Sequence, residues 1–380
     1  MHVPSRRGFL KRTLGACWTG AALLEQAVFR AAQARAQATP GLPALFDLEK
    51  VADGVYAAVA RPATLINCNA AIFENTNDLL IVDSHSKPSA VISLVSQIRR
   101  EIGSKPVRYI INSHFHWDHS QGNAAYRRIS PHADIVSSEP TRRMISELGA
   151  ARLKASIEQA EKSVAQYKES GAIAKTAEQK AFFQRMQVEA RDYVAEMRKA
   201  TPELPNVTFD RDLIIRDKAH DLHLAFRGRA HTGGDIVVFC PQKKVVATGD
   251  MLHGFAPYLG DAYPQLWPRT LHHVAEFPFE HVIGGHGAVQ HTRERLYQMA
   301  GYIEELAEAV AVRKRAGKAL EQIQAEVTPA SLKSLTRGGY GRFIIDSAVK
   351  YRPQPPGAVP ALADAVKENV AHTHAALDRA

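Results

Sequence analysis

The chain has 380 residues, of which 45 % are hydrophobic and 23 % are charged, and its formal net charge is +9. This composition is ordinary for a globular protein, and a chain of this length can bury a full core without disulfide bonds. No run of 18 or more apolar residues follows the N-terminus, which excludes a membrane-spanning helix from the mature chain.

The first 38 residues carry most of the positive charge. Six basic residues and one acidic residue lie there, which leaves +4 on residues 39–380, where no basic block is found. Residues 5–11 (SRRGFLK) resemble the twin-arginine export motif of bacteria, and an apolar stretch and an Ala-rich segment with small-x-small sites follow, the last at residues 36–38. We therefore expect residues 1–38 to be a removable signal peptide rather than a basic amphipathic helix.

This segment predicts a periplasmic protein that has the twin-arginine export machinery as a partner and no stable membrane anchor. A nucleic-acid-binding protein concentrates its basic residues in a patch or stripe. Since the mature chain has none, we expect no nucleic-acid partner and a small-molecule substrate instead.

Short strands and one helix are predicted between residues 51 and 112. Strand character is seen in VADGVYAAVA (51–60) and in two runs, AAIF and LLIVD, within residues 69–83. Residues 89–102 carry apolar side chains at helical spacing, and a short apolar strand follows at 107–112. This order of elements predicts a mixed α/β domain.

Residues 140–200 predict a helical hairpin instead. Two apolar stripes at spacings of three and four are separated by a break at Gly171. Strand character returns between residues 207 and 247, and residues 291–325 are again helical. We therefore expect one domain over residues 39–325 with a hairpin inserted at about 140–200, and a C-terminal helical extension over residues 326–380.

Four potential metal ligands lie within six residues, directly after the strand predicted at 107–112. They are His114, His116, Asp118 and His119, in the sequence SHFHWDH. A loop that leaves a strand can bring all four together, whereas a helix would point His114 and His116 to different faces. Imidazole and carboxylate together suit zinc, and also iron or manganese.

Three further candidate ligands occur later in similar surroundings. His231 opens HTGGD, Asp250 ends TGD, and His286 lies in GGHG. Each is next to a strand-like run and is flanked by glycine, which lets the backbone turn tightly beside a metal.

These residues resemble the H-x-H-x-D-H signature and the later His, Asp and His ligands of the metallo-β-lactamase superfamily. The resemblance covers roughly residues 45–300 and implies a four-layer αββα sandwich with the site at one edge. It implies that Asp83, at the end of LLIVD, supports the ligand loop from behind. The implied ligands are His114, His116 and His231 for one metal, Asp118, His119 and His286 for the second, and Asp250 as the bridge.

The resemblance implies two divalent metal ions per chain, with zinc as the first expectation and iron or manganese as alternatives. A hydroxide shared by the two metals would attack the substrate, and Asp118 would orient it or pass its proton to the leaving group. Asp250 stands where the β-lactam-hydrolysing members have Cys or Ser, and it resembles the group that includes thioesterases and lactonases. We therefore expect hydrolysis of a small ester, thioester or lactone. The alternatives are a periplasmic β-lactamase and an inactive protein that binds metal or a partner.

The substrate cleft is less constrained by the sequence. Its candidate residues, each with ordinary packing as the alternative, are Trp117, His253, Tyr258, Tyr263 and Trp267. The predicted hairpin could be a lid, a homodimer contact or an elaboration of the scaffold. Cys68 and Cys240 could pair in an oxidising compartment, but we expect two buried free thiols.

Overall fold

The structure, a computed structural model, describes residues 45–378. The predicted signal peptide, residues 1–38, lies outside the described residues, so export and periplasmic location stay predictions. In the described part of the chain, no helix is both long enough and apolar enough to cross a membrane.

Two β-sheets form the centre of the fold. The first has seven strands in chain order, with an antiparallel meander followed by three parallel strands. Its strands are β1 (Phe46–Ala52), β2 (Val55–Ala60), β3 (Ala70–Glu74), β4 (Leu79–Val82), β5 (Val107–Ile111), β6 (Asp134–Ser138) and β7 (Val207–Phe209). The second sheet has the order β12-β11-β10-β9-β8, and only β11 and β12 run parallel. Its strands are β8 (Asp212–Arg216), β9 (Asp221–Phe226), β10 (Ile236–Cys240), β11 (Val245–Gly249) and β12 (His281–Gly284).

The two sheets pack face to face, and the two-residue period of the strands decides which side chains meet. In β2, Val55 and Ala57 point into the space between the sheets, whereas Ala58 points to the helices outside. Leu224 and Ile236 of the second sheet complete the inner core.

Helices cover both outer faces. The first sheet packs against α1 (Pro88–Glu101) and α3 (Asn123–Ile129), which follows a one-turn helix, α2 (Trp117–Ser120). The second sheet packs against α6 (Trp267–Val274) and α7 (Glu294–Arg315). The predicted four-layer αββα sandwich is therefore confirmed.

The C-terminal helices extend the outer layer of the second sheet. They are α8 (Leu320–Glu326), α9 (Lys333–Thr336), α10 (Tyr340–Tyr351) and α11 (Leu362–Ala376). Ile323, Leu335, Ile344 and Val370 belong to the same buried apolar cluster as α6 and α7. Residues 320–376 thus share a core with the second sheet.

The helical hairpin is present as α4 (Glu139–Ile173) and α5 (Ala177–Met197). The prediction that Gly171 breaks the first helix was wrong, because α4 continues to Ile173. Gly171 faces α5, where a Cβ would lie 3.4 Å from Cβ of Phe183, an ordinary contact distance. The side chain of Thr176 then caps α5 by accepting from the backbone N–H of Gln179.

The hairpin is fixed to the sandwich along α5. Lys87 Nζ lies 2.6 Å from Glu189 Oε1, and both side chains are largely buried. Ser89 Oγ donates to Glu196 Oε2 at 2.8 Å, and the hydroxyl of Tyr193 donates to the Gln121 side chain at 3.0 Å. The hairpin is therefore held next to the end of α2, and its role as a lid or dimer contact stays a prediction.

Candidate metal centre

The seven predicted ligands converge at one edge of the sandwich. Those between residues 114 and 119 follow β5 of the first sheet, whereas His231, Asp250 and His286 border β10, β11 and β12 of the second. Each is at most 7 % exposed. Several groups of three among the described residues have ligand atoms within 4.8 Å of one another. Two of these groups, which draw on both sheets, are His114, His116 and His231, and Asp118, His119 and His286.

Asp250 lies between the two groups. Its Oδ1 is 3.3 Å from His119 Nε2, and its Oδ2 is 3.6 Å from His231 Nε2 and 3.5 Å from His286 Nε2. Asp118 Oδ2 lies 3.2 Å from His286 Nε2. One carboxylate therefore reaches both groups, which is the placement that a bridging ligand needs.

The ligand loop is tighter than the sequence suggested. His114 and His116 leave β5 in extended and bent backbone, but Asp118 and His119 lie on the one-turn helix α2, which begins directly after His116. The Ser120 hydroxyl donates to the carbonyl of His116 at 2.9 Å and closes this turn. The expectation of a loop for all four residues was therefore wrong for the last two.

Asp83 holds this segment from behind. It has a left-handed backbone conformation (φ 70°) at the end of β4, an uncommon state that Asp tolerates better than most residues. Its Oδ1 accepts from the Ser113 backbone N–H, and its Oδ2 accepts from the Ser113 hydroxyl and from His119 Nδ1, all at 2.8 Å. Such strain is typical of functional sites, where the surrounding contacts over-determine the geometry.

Three of the histidines each form a hydrogen bond from Nδ1 to an oxygen atom outside the ligand cluster. His119 Nδ1 lies 2.8 Å from Asp83, His114 Nδ1 lies 3.0 Å from the Ser113 hydroxyl, and His231 Nδ1 lies 3.1 Å from the carbonyl of Tyr258. Because these outer nitrogens donate, the Nε2 atoms present their lone pairs to the centre.

His116 has the opposite orientation. Its Nε2 donates to Asp261 Oδ2 at 2.8 Å, so its Nδ1 lone pair faces His231 Nε2 across only 2.9 Å. Two lone pairs at that separation repel each other unless a proton or a metal ion lies between them. His114 Nε2, His119 Nε2 and Asp250 Oδ1 are also buried without a hydrogen-bond partner. This donor set therefore fits metal ions.

The charges in the centre point the same way. Burial raises the pKa of Asp118 and of Asp250, but His119 and His286 outweigh it and hold both pKa values well below the usual range. Burial lowers the pKa of His286, yet Asp250 and Asp118 raise it to about 9. Burial and neighbouring imidazoles keep the pKa of His114 well below its usual value. The carboxylates of the centre are therefore ionised, and their negative charge favours the binding of a cation.

Two glycines are required by this crowding. A Cβ at Gly285 would lie 2.1 Å from Asp250 Oδ1, inside the centre. Gly249 has φ +51°, and a Cβ there would lie 2.1 Å from the Ser113 hydroxyl. No side chain fits at either position without displacing a candidate ligand or its support.

Asp261 was missed by sequence reasoning. It lies in the loop between β11 and α6, and besides His116 it binds Arg152 of the hairpin, whose Nη2 is 2.8 Å from Asp261 Oδ1. Burial raises the pKa of Asp261, but His116 and Arg152 outweigh it, so the pKa is lowered and the carboxylate stays charged. Neither residue belongs to a local motif, so nothing in the spacing could have identified the pair.

Two of the predicted cleft residues, His253 and Tyr258, have rings beside candidate ligands. The His253 ring is 5.9 Å from that of His286, and its Nδ1 accepts from the Phe255 backbone N–H at 3.1 Å. Burial lowers the pKa of His253 to about 4, so its ring is neutral. The Tyr258 ring lies 5.9 Å from that of His116 and is 42 % exposed, which places it at the rim.

The other predicted cleft residues have packing contacts. Trp267 is fully buried behind His231 and donates its indole N–H to the Met251 carbonyl at 3.0 Å, so the expectation that it lines the cleft was wrong. Trp117 packs against Tyr193 at the base of the hairpin, and Tyr263 packs under Arg229. Cys68 and Cys240 are buried and free, as expected.

A cavity of about 350 Å³ lies beside His286. Its wall combines residues 60–69, Tyr167 of the hairpin, Phe255 and residues 351–354 after α10. This volume is in the range of small-molecule sites. Except for His286, the sequence indicated none of these residues as cleft residues.

Comparisons with known proteins agree with this geometry. The family model of the metallo-beta-lactamase superfamily matches residues 63–298, which is more than half of the chain. A metallo-beta-lactamase type 2 from Elizabethkingia meningoseptica is 28 % identical over 97 residues, which are 22 % of this chain and 39 % of that protein. The chain therefore spans about two fifths of the length of this relative.

One of the solved structures that match the chain shares its fold at low sequence identity. A stereoselective inverting sec-alkylsulfatase from Pseudomonas sp. matches with a TM-score of 0.59 and 16 % identity, over 87 % of this chain and 50 % of that chain. A metallo-beta-lactamase from Pontibacter korlensis matches with a TM-score of 0.49 and 16 % identity, over 67 % of this chain and 98 % of that one. With the match to the family model, the chain belongs to the metallo-beta-lactamase superfamily, and its buried His and Asp groups could hold metal ions.

Proposed function

We propose that this protein is a binuclear metal-dependent hydrolase of a small ester, thioester or lactone. One observation carries the proposal: Asp250 lies between two groups of three donors, and His114 Nε2, His119 Nε2 and Asp250 Oδ1 are buried there without a hydrogen-bond partner. His114, His116 and His231 would hold one divalent cation, and Asp118, His119 and His286 the other. Zinc suits this nitrogen and oxygen donor set best, ahead of iron or manganese.

When bound, two such cations supply Lewis acidity that polarises the scissile carbonyl and lowers the pKa of water. Asp118 is ionised, because its pKa lies well below the usual range despite burial. The ionised carboxylate can orient the attacking water by accepting a hydrogen bond from it, and it can pass the proton that the water gives up to the leaving group. His253 is neutral and next to His286, so it adds no charge that would repel a cation.

The substrate class follows from the ligand identity and the cavity. Asp250 is a hard, charged donor where the β-lactam-hydrolysing members of the family have Cys or Ser. The cavity of about 350 Å³ beside His286 suits a small molecule rather than a polymer. These two features favour a small ester, thioester or lactone.

The decisive experiment combines metal content with a substrate screen. Elemental mass spectrometry on the purified full chain should find about two divalent metals per chain, and a screen of lactones, thioesters and aryl esters should find turnover that a chelator abolishes. A chain that takes up no stoichiometric metal from zinc-, iron- or manganese-containing buffer would overturn the proposal.

A β-lactam is the second candidate substrate, because 97 residues of the chain are 28 % identical to a metallo-beta-lactamase. A chromogenic cephalosporin belongs in the same screen, together with a secondary alkyl sulfate, since a sec-alkylsulfatase shares the fold. Faster turnover of either than of every ester, thioester and lactone would replace the substrate class proposed above.

We also propose that the protein acts in the periplasm after twin-arginine export. The motif at residues 6–7 supports this location. Replacing both arginines by lysine should leave the protein in the cytoplasmic fraction, whereas unchanged fractionation would contradict export by this route.

A further inference from the structure

Arg352 lies on the wall of the cavity beside His286, directly after the end of α10. Its guanidinium carbon lies 4.6 Å above the centre of the Phe255 ring. Phe255 in turn stacks on His286, with ring centres 5.6 Å apart and planes at 26°. Arg352 is thus separated from a candidate metal ligand by a single aromatic ring.

The side chain of Arg352 is exposed, and among the described residues no carboxylate forms an ion pair with it. Arg61, on the same cavity wall, differs in this respect, because its Nε donates to Asp47 at 2.8 Å. The cavity therefore holds one neutralised cation and one cation whose hydrogen-bonding face is available to a ligand.

We infer that Arg352 binds an oxyanion of the substrate, a carboxylate or a sulfate, while the scissile bond lies at the metal centre. A guanidinium is planar and donates two parallel hydrogen bonds to such a group. The inference rests on the proposed hydrolase function and narrows its substrate to esters, thioesters or lactones that carry a negative charge. Since two ring contacts join Arg352 to His286, a linker of a few carbon atoms separates the charge from the reacting bond.

The position of Arg352 in the chain supports a role in substrate choice. Arg352 lies beyond residues 63–298, the part that the family model matches, and on the helical layer formed by residues 320–376. It therefore lies outside the part of the chain that holds the candidate ligands.

Matched aryl esters test the inference through catalysis. The probes are mono-4-nitrophenyl glutarate, which carries a carboxylate, and the neutral 4-nitrophenyl butyrate. In R352M, the ratio of kcat/KM for the charged ester to that for the neutral ester should fall about 10- to 100-fold, the effect of losing a hydrogen bond between charged groups. R352K should restore part of the ratio. R185M, at an exposed arginine of α5 that does not line the cavity, should leave it as in the wild type.

A binding measurement separates this inference from the proposed reaction. Calorimetry on the full chain, with and without added zinc, uses two probes that need no turnover: the 4-nitroanilide of glutarate and butyl sulfate. Binding that R352M weakens at least about 10-fold supports the inference even if no ester is hydrolysed. The tighter of the two probes identifies the anion as carboxylate or sulfate.

Equal losses for charged and neutral esters would show that R352M merely damages the cleft. That result would overturn the inference. So would calorimetry in which neither probe binds, or in which R352M leaves the binding of both probes unchanged. Thermal melting of each variant checks that the fold is intact.

Discussion

The ligand edge and the added helices serve the same cleft in different ways. At the ligand edge, seven buried side chains are held by short contacts such as the three 2.8 Å hydrogen bonds of Asp83. The hairpin and the C-terminal helices contribute partly exposed, longer side chains, among them Tyr167 and Arg352. The first region fixes donors in place, and the second shapes the space in front of them.

Under the proposed function, this difference assigns the reaction to the ligand edge and the selection of the substrate to the helices. Burial and fixed tautomers suit the ligand edge to metal binding, which requires preorganised donors. Exposed charge at the end of a helix suits the added regions to recognition of a substrate. Asp261 joins the two, because it contacts both His116 of the edge and Arg152 of the hairpin.

The largest effect is expected at the ligand edge. H116A should remove one of three donors from the first group and leave Asp261 without its partner, so activity should fall by more than the ~100-fold typical of losing an outer partner. Metal content and hydrolysis measure this. H272A, which removes an exposed histidine, is the matched control. Full metal content and activity in H116A would contradict the assignment of metal binding to the ligand edge.

The next effect tests how firmly the hairpin is fixed. K87M leaves Glu189 buried without its cation, so the free energy of unfolding should fall by about 3 kcal/mol. Urea denaturation measures it, with K162M on the exposed face of α4 as control. The double variant K87M/E189L should recover most of the loss, and a K87M stability equal to wild type would show that the pair does not anchor the hairpin.

The same variant makes a prediction about pH. Burial raises the pKa of Glu189, and Lys87 is the main group that lowers it, so K87M should raise this pKa further. A carboxyl with a raised folded-state pKa contributes stability at low pH that is lost as pH rises through that pKa. K87M should therefore lose less stability relative to wild type in mildly acidic buffer than at neutral pH. A pH-independent difference would contradict this.

A smaller effect is expected at Asp261, which connects the ligand edge to the hairpin. D261N keeps the shape of the side chain but removes the charge that orients His116, so metal affinity or activity should fall ~10- to 100-fold. Chelator competition measures the affinity. Unchanged affinity in D261N would mean that the carboxylate serves only the ion pair with Arg152.

The smallest effect is expected one contact further away. Arg152 reaches His116 through the carboxylate of Asp261 and through the Phe115 ring, which lies beside His116. Because R152M leaves the bond between Asp261 and His116 in place, its loss of metal affinity should be less than that of D261N. The same chelator competition ranks the two variants. A larger loss in R152M would place the hairpin, rather than the loop, in control of His116.

Most of the fold and the set of candidate ligands could be predicted from local patterns in the sequence. The helix predicted at 89–102 is found at Pro88–Glu101, since its apolar spacing matches one buried face. The cluster from His114 to His119 is readable because four donors are close in the chain. By contrast, β1 lies at the edge of its sheet and is mostly half-exposed, which leaves little alternation to detect.

Contacts between distant segments could not be predicted from the sequence. Asp261 and Arg152 are 109 residues apart. Arg352 reaches the cavity only because the C-terminal helices pack on the second sheet. Trp267 was predicted to line the cleft because it follows the candidate ligand Asp250 in the chain. It is fully buried and lies behind the centre instead.

Each donor group draws on both sheets, and this has a thermodynamic consequence. A cation bound by His114, His116 and His231 connects the end of β5 to the start of β10. Because such a site exists only when the two sheets are packed, binding and folding are linked. Free metal at a hundred times its dissociation constant would add about 2.7 kcal/mol to the stability of the fold. The melting temperature of the protein should therefore report the free metal concentration of its surroundings.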